Sequence, residues 1–282
     1  TYAVLGLLAA FDIVAIEAAL QAIILSTPFY ASFNQVFQQI PNIRIAKIAT
    51  ERLAGCFILN GQTQNQSANG NLIRFNALSY GYTESEQPLF SELNCSFPID
   101  EISVIVGKNG SGKSTLMKLV AGWTAADDGA ISFCGTDPNN WNEDEREKYV
   151  FYLPQIDPGL HICAGTLFCA FSDKQKEKCF QNAALFGLSE EQLNTRISDL
   201  SGGESKKIFL SAAFSTDKDV FLLLDEPTNS LDEKGTDTFI SLLRCRQGAL
   251  IITHDKRIRN LAFPVFKVSE KGVMLLDEKD LW

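Results

Sequence analysis

VGKNGSGKST, from Val106 to Thr115, is the most glycine-dense segment of the chain, and its reading decides the fold. The apolar run ISVIV, Ile102 to Val106, precedes it as a buried strand, and MKLVA, Met117 to Ala121, follows it with helical character. The segment fills the pattern G-x-x-x-x-G-K-[ST] with Gly107, Gly112, Lys113 and Ser114, with Gly110 and Thr115 as further loop members. Glycines let successive backbone N–H groups turn onto one small anion, and the helix behind them adds the positive end of its dipole. Between a strand and a helix, the pattern predicts a phosphate site. Lys113 is placed to reach the outer phosphates, and the Ser114 hydroxyl to ligate Mg²⁺.

Net charge does not oppose this, because the local field governs anion binding. The chain carries 34 acidic against 25 basic residues, a net charge of -9, and so lacks the electrostatic footprint of a nucleic-acid partner. Composition is that of an ordinary globular protein, and 282 residues allow one or two domains. The cysteines Cys56, Cys95, Cys134, Cys163, Cys169, Cys179 and Cys245 are scattered, with no C-x-x-C pair. They read as reduced, mostly buried small hydrophobes, and no metal cluster is expected from them.

Outward from the loop, residues 1–59 differ in character from the rest. Ala3 to Leu25 is apolar and long enough, at about 1.5 Å per residue, to cross a hydrocarbon core of about 30 Å. The carboxylates of Asp12 and Glu17 interrupt it and are expected, with Gln21, to face a bundle interior or an aqueous path; Glu17 and Gln21, at i and i+4, equally suit a polar packing pair, and a buried or amphipathic soluble helix is the alternative to a spanning one. Arg44, Lys47 and Arg52 lie beyond the run, as at the cytoplasmic end of a spanning helix. The chain starts at Thr1 inside apolar sequence with no charged region ahead, which predicts a piece of a longer polypeptide rather than a signal peptide. Residues 60–71 are polar and rich in Gly, Asn, Gln and Ser, and read as a linker.

Residues 72–282 form the predicted catalytic domain. Strand candidates fall near 72–80, 101–106, 130–134, 149–153, 219–225, 249–253 and 264–268, with helical segments or turns between them. This predicts an α/β fold with a largely parallel core sheet and some antiparallel strands. From about Ile162 to Ser198 helix formers prevail, so a helical subdomain is placed at about 156–215. LSGGE, Leu200 to Glu204, precedes a helical pattern, and Ser201 with Glu204 makes a capping box. VFLLLDE, Val220 to Glu226, is a buried strand ending in two carboxylates. LIITHD, Leu250 to Asp255, is another, ending in histidine. Polar clusters at strand C-terminal ends are where open α/β sheets gather ligands.

Taken in order, these segments resemble the ATP-binding cassette family from about Leu72 to the C-terminus. Gly107 to Thr115, with Asn109 and Ser111 inside it, is similar to Walker A, Gln155 to the Q-loop residue and Leu200 to Glu204 to the signature. Phe221 to Glu226 is similar to Walker B, Asn229 to Asp232 to the D-loop and His254 to the switch histidine. The resemblance implies an ABC-type P-loop NTPase with a mixed sheet and helical subdomain, preceded by a transmembrane helix. It implies ATP and Mg²⁺ as cofactors, with Ser114, Gln155 and Asp225 at the metal and Glu226, His254, Gln155 and Lys113 in the hydrolysis. Tyr82, or else Tyr80, would stack on adenine.

A second cassette is implied as partner, its nucleotide gripped by Ser201, Gly202 and Gly203, with Asp232 beside them. The order of segments matches the last part of an exporter-type half-transporter, with membrane lipid around residues 1–59 and the cassette on the cytoplasmic side of the cell membrane. A soluble ATPase of the ribosome-associated translation-factor type is the alternative, since such proteins also carry the DEPTNxLD pattern and a His-Asp pair. Ser205, Lys206 and Lys207 depart from the commoner Gln and Arg after the signature, and Asp255 follows the histidine where many exporters have Arg.

Overall fold

The computed structural model describes residues 72–82, 87–155, 160–269 and 272–276. The apolar run from Ala3 to Leu25, its polar residues Asp12, Glu17 and Gln21, the linker and Cys56 lie outside the described residues. Among the described residues no helix is long and apolar enough to cross a membrane.

Among the described residues, nine strands form two sheets. The smaller is antiparallel, in the order β2 (Phe90–Pro98), β1 (Leu72–Tyr80), β4 (Asp128–Phe133). The larger has six strands in the order β5 (Val150–Leu153), β6 (Phe221–Asp225), β7 (Ala249–Ile252), β3 (Ile102–Gly107), β8 (Val265–Ser269), β9 (Gly272–Leu275). Its neighbours are parallel throughout except β8 with β9. The near-continuous apolar sequence of β5, β6 and β7, broken only by Asp225 at the end of β6, fits this placement: every residue of all three is buried, as in covered parallel strands.

All seven strand candidates are present, and two strands were not anticipated. In β2 the buried side chains are Phe90, Leu93 and Phe97, spaced three and four apart as in a helix. A register shift against β1 between Tyr80 and Leu78, with Glu92 at φ 49°, explains the broken alternation. An extra residue at a bulge moves every later side chain to the other face. The four-residue β9 is too short and too exposed to show a pattern.

Eight helices complete the described fold: α1 (Lys113–Val120), α2 (Glu143–Tyr149), α3 (Ala164–Phe168), α4 (Asp173–Leu185), α5 (Glu190–Asn194), α6 (Gly202–Ala213), α7 (Glu233–Leu243) and α8 (Lys256–Arg259). Helices α3 to α6 occupy the chain between β5 and β6. Helix α1 buries Leu116, Leu119 and Val120 in a core shared with Ile105, Leu223, Leu250 and Ile252, which fixes the glycine loop to the sheet beneath it.

The cysteines correct one expectation. All six described cysteines are free, but only Cys179 is buried; Cys95 and Cys163 are half-buried, and Cys134, Cys169 and Cys245 are exposed. Cys134 sits in a left-handed turn at φ 52° just after β4, and Cys245 lies two residues past α7.

Candidate nucleotide site

The C-terminal ends of β3, β6 and β7 border one cleft of about 510 Å³. The sheet order places β7 between β3 and β6, so residues far apart in sequence become neighbours there. Tyr82, Asn109, Gly110, Gly112, Lys113, Ser114, Thr115, Gln155, Asp225, Glu226 and His254 all line it.

The loop after β3 could not be built without its glycines. Gly112 has φ 93°, and a Cβ there would lie 2.5 Å from the Phe90 ring. A Cβ on Gly107 would meet the Val268 carbonyl oxygen at 2.5 Å. Gly107 and Ser111 do not line the cleft; they carry the loop from beneath. The Lys113 ammonium is 8% exposed as a residue and donates to the carbonyls of Gly107 at 2.9 Å and Lys108 at 2.8 Å. A cation held at the loop mouth by weak neutral acceptors is free to exchange them for phosphate oxygens. The Ser111 hydroxyl is buried without a hydrogen-bond partner among the described residues, a donor group left over inside the loop.

Asp225 closes β6 and is 2% exposed. Burial pushes its carboxyl above the ordinary carboxylate range, while a hydrogen bond from Ser114 and the Lys113 cation pull the other way. Ser114, Asp225 and Gln155 thus offer hydroxyl, carboxylate and amide oxygens on one side of the cleft, and such oxygen donors suit a small hard cation such as Mg²⁺.

Glu226 takes a left-handed backbone at φ 48°, uncommon for a residue with a side chain. Its N–H donates to the Ile252 carbonyl at 2.9 Å, which pins the turn to the end of β7. The carboxylate accepts the His254 backbone N–H at 3.4 Å on Oε2 and has His254 Nε2 3.5 Å from Oε1. Burial raises its pKa, opposed by His254. A half-desolvated carboxylate aimed into a phosphate cleft has the character of a general base.

At the other wall, Tyr82 is exposed, with its hydroxyl 2.7 Å from Thr115 Oγ1 and its ring edge-on to Tyr80. Tyr80 packs against the core instead, so of the two tyrosines Tyr82 borders the cleft. Leu89 and Ile252 also line it and were not anticipated, and Asn229, the first residue of the expected D-loop, lines it too. Leu89 carries no signal of its own.

Ser201, Gly202, Gly203 and Asp232 are not brought to this cleft. Ser201 caps α6, accepting from the Glu204 N–H at 3.3 Å while its own N–H donates to Glu204 Oε2 at 2.9 Å, so the expected capping box is present. The Ser201 hydrogen bonds hold the Glu204 carboxyl below its ordinary range. Gly203 lies so close to the Ser230 carbonyl that a Cβ would be 2.5 Å from its oxygen. Asp232 caps α7 through the Gly235 N–H at 3.3 Å and pairs with Lys207 at 2.7 Å, and the Lys207 hydrogen bond lowers its pKa.

A glycine loop between strand and helix, facing a strand that ends in two carboxylates, defines a nucleoside-triphosphatase of the P-loop class. The family model for ABC transporter matches residues 90–229. The ABC transporter ATP-binding protein TTE0246 of Caldanaerobacter subterraneus subsp. tengcongensis is 32% identical over 217 residues, 71% of this chain and 86% of the relative. The macrolide export ATP-binding/permease protein MacB of Pasteurella multocida is 32% identical over 211 residues, 69% of this chain but 32% of MacB. YclH of Bacillus subtilis, an ABC transporter ATP-binding protein, is 28% identical over 209 residues, 68% of this chain and 91% of the relative. The fold matches that of MJ0796, a bacterial ABC transporter cassette solved as a dimer, with a TM-score of 0.60 and 19% identity over 71% of this chain and 96% of that one. The chain belongs to the ABC transporter family, as an ATP-binding cassette. It is an ATPase, with ATP and Mg²⁺ as its cofactors.

Proposed function

We propose that this cassette pairs with a second one, closes on ATP, and uses hydrolysis to drive a substrate out of the cell. One observation carries the pairing. The residues that contact nucleotide in the resemblance are split here between the cleft and the Ser201–Gly203 surface outside it, so one chain presents half of each of two sites. MJ0796, whose fold this chain shares, was also solved as a dimer with ADP and Pi.

In this reading Lys113 leaves the Gly107 and Lys108 carbonyls for the outer phosphate oxygens, and Thr115 exchanges Tyr82 for phosphate. Tyr82 then offers its ring face to the base. Ser114, Asp225 and Gln155 would hold Mg²⁺, which when bound would neutralise phosphate charge. Glu226 orients a water through its carboxylate and accepts the proton, while His254 keeps that carboxylate in place and reaches toward the terminal phosphate. Asp232 braces the signature helix through Lys207.

Outward transport is supported by relatives: MacB is an export protein, and the lipoprotein-releasing protein LolD 2 of Rhodopirellula baltica is 28% identical over 214 residues. The alternative of a ribosome-associated ATPase is not favoured by these relatives. The apolar stretch from Ala3 to Leu25 would carry the cassette at the cytoplasmic face of a membrane, in contact with lipid. Size-exclusion chromatography of Glu226→Gln with ATP and Mg²⁺ tests the pairing: a dimer with ATP and a monomer with ADP is expected, and monomers under both conditions would end it. Fractionation of cells expressing the full-length protein tests the membrane placement, which recovery in the soluble fraction would refute.

A further inference from the structure

Lys206 sits in the second turn of α6 and is 3% exposed. Its ammonium donates to the carbonyls of Gln155 at 3.2 Å and Pro154 at 3.4 Å, the two residues that follow β5. Burying an ammonium is costly, and an apolar side chain of similar length would fill the same space at less expense. The gain must therefore lie in what the ammonium holds. Among the groups it holds is the main chain of Gln155, a residue that lines the same cleft as Ser114 and Asp225.

We propose that Lys206 is a positioning residue for the hydrolysis: by fixing the Pro154 and Gln155 carbonyls it sets where the Gln155 amide stands in the cleft. The same helix begins at Gly202 and carries the signature residues, so Gln155 and the surface offered to a second cassette share one rigid element. That consequence rests on the pairing proposed above; the placement of Gln155 does not.

A double-mutant cycle on the full chain decides the matter, with steady-state ATP turnover, ATP affinity and thermal melting as readouts. Lys206→Met is expected to lower kcat by about tenfold to a hundredfold, the effect of displacing a catalytic group by about 1 Å, while the Kd for ATP changes by less than about threefold. Gln155→Ala should lower kcat similarly, and the double variant no further than the worse single one. Lys206→Arg, which can still donate to both carbonyls, should recover most of the rate. Multiplying effects in the double variant, or a lower melting temperature with kcat unchanged, would overturn the proposal. Should Lys206→Met fail to fold, the Lys206→Gln and Lys206→Arg variants run through the same cycle with Gln155→Ala. Loss of the ATP-driven dimer in Glu226→Gln with the coupling intact would sink only the pairing.

Discussion

Glu226 and His254 meet at the ends of two adjacent parallel strands, with Oε1 of the carboxylate 3.5 Å from Nε2 and Oε2 accepting the histidine backbone N–H at 3.4 Å. The carboxylate is buried while the imidazole is exposed. Glu226→Gln should keep ATP affinity within a few-fold and cut turnover by about 10² or more, the range of a general base, in a steady-state phosphate-release assay.

The same burial makes Glu226 a source of pH dependence. Its folded-state pKa stands above the unfolded value, so the folded protein binds the proton more tightly, and stability falls as pH rises through that interval. Melting curves should therefore show Glu226→Gln more stable than the parent at neutral pH. The difference should close as pH drops below the ordinary carboxylate range, where both forms are neutral. Asp225→Asn should behave in the same direction. The acid limb of turnover should lie above the range of a free glutamate.

Two loop glycines should respond unequally to alanine. Gly110 has φ 80° with open space around it, so alanine costs only the left-handed backbone, about 1–2 kcal/mol. Gly112 adds a Cβ 2.5 Å from the Phe90 ring, a further overpacking of about 1–3 kcal/mol. Urea denaturation should rank Gly112→Ala as clearly the worse, with nucleotide binding lost alongside.

Asp232 performs two tasks that substitution can separate. Lys207→Ala removes an ion pair whose carboxylate is exposed, worth about 0.2–1 kcal/mol. Asp232→Ala also removes the α7 cap, about 1 kcal/mol more, while Asp232→Asn keeps the cap and loses only the pair. Equal destabilisation by Asp232→Ala and Asp232→Asn in chemical denaturation would refute this division.

Arg246, three residues beyond α7, ties down the chain entering β6. It donates to the carbonyls of Thr216 at 2.9 Å, Asp217 at 2.8 Å and Val220 at 2.7 Å, and to Thr216 Oγ1 at 2.8 Å. Arg246→Met should cost about 3 kcal/mol, since it strands several acceptors at once, and Arg246→Lys should recover only part because an ammonium lacks the planar fork. Equilibrium unfolding checks both, with ATP affinity expected to stay near the parent value because the site is remote.

Sequence by itself determined the glycine loop with its flanking strand and helix, the capping box at Ser201 and the apolar strands, one ending in Asp225 and the other ending two residues short of His254. Each is a local pattern: a φ above zero, a side chain reaching three residues along its own chain, or a run buried on both faces. That the segments carrying Lys113, Glu226 and His254 gather at one sheet edge was also legible, since each follows a strand's C-terminal end; tertiary structure decided the order that sets β7 between β3 and β6, and that Tyr82 borders the cleft while Tyr80 joins the core. It also decided that Lys206, visible in the sequence only as a departure from the commoner residue, points at the Gln155 carbonyl while its neighbour Lys207 points at Asp232. Successive residues on a helix face different directions, about 100° apart at 3.6 residues per turn, and what each one meets depends on packing between segments that carry no mutual signal in the chain.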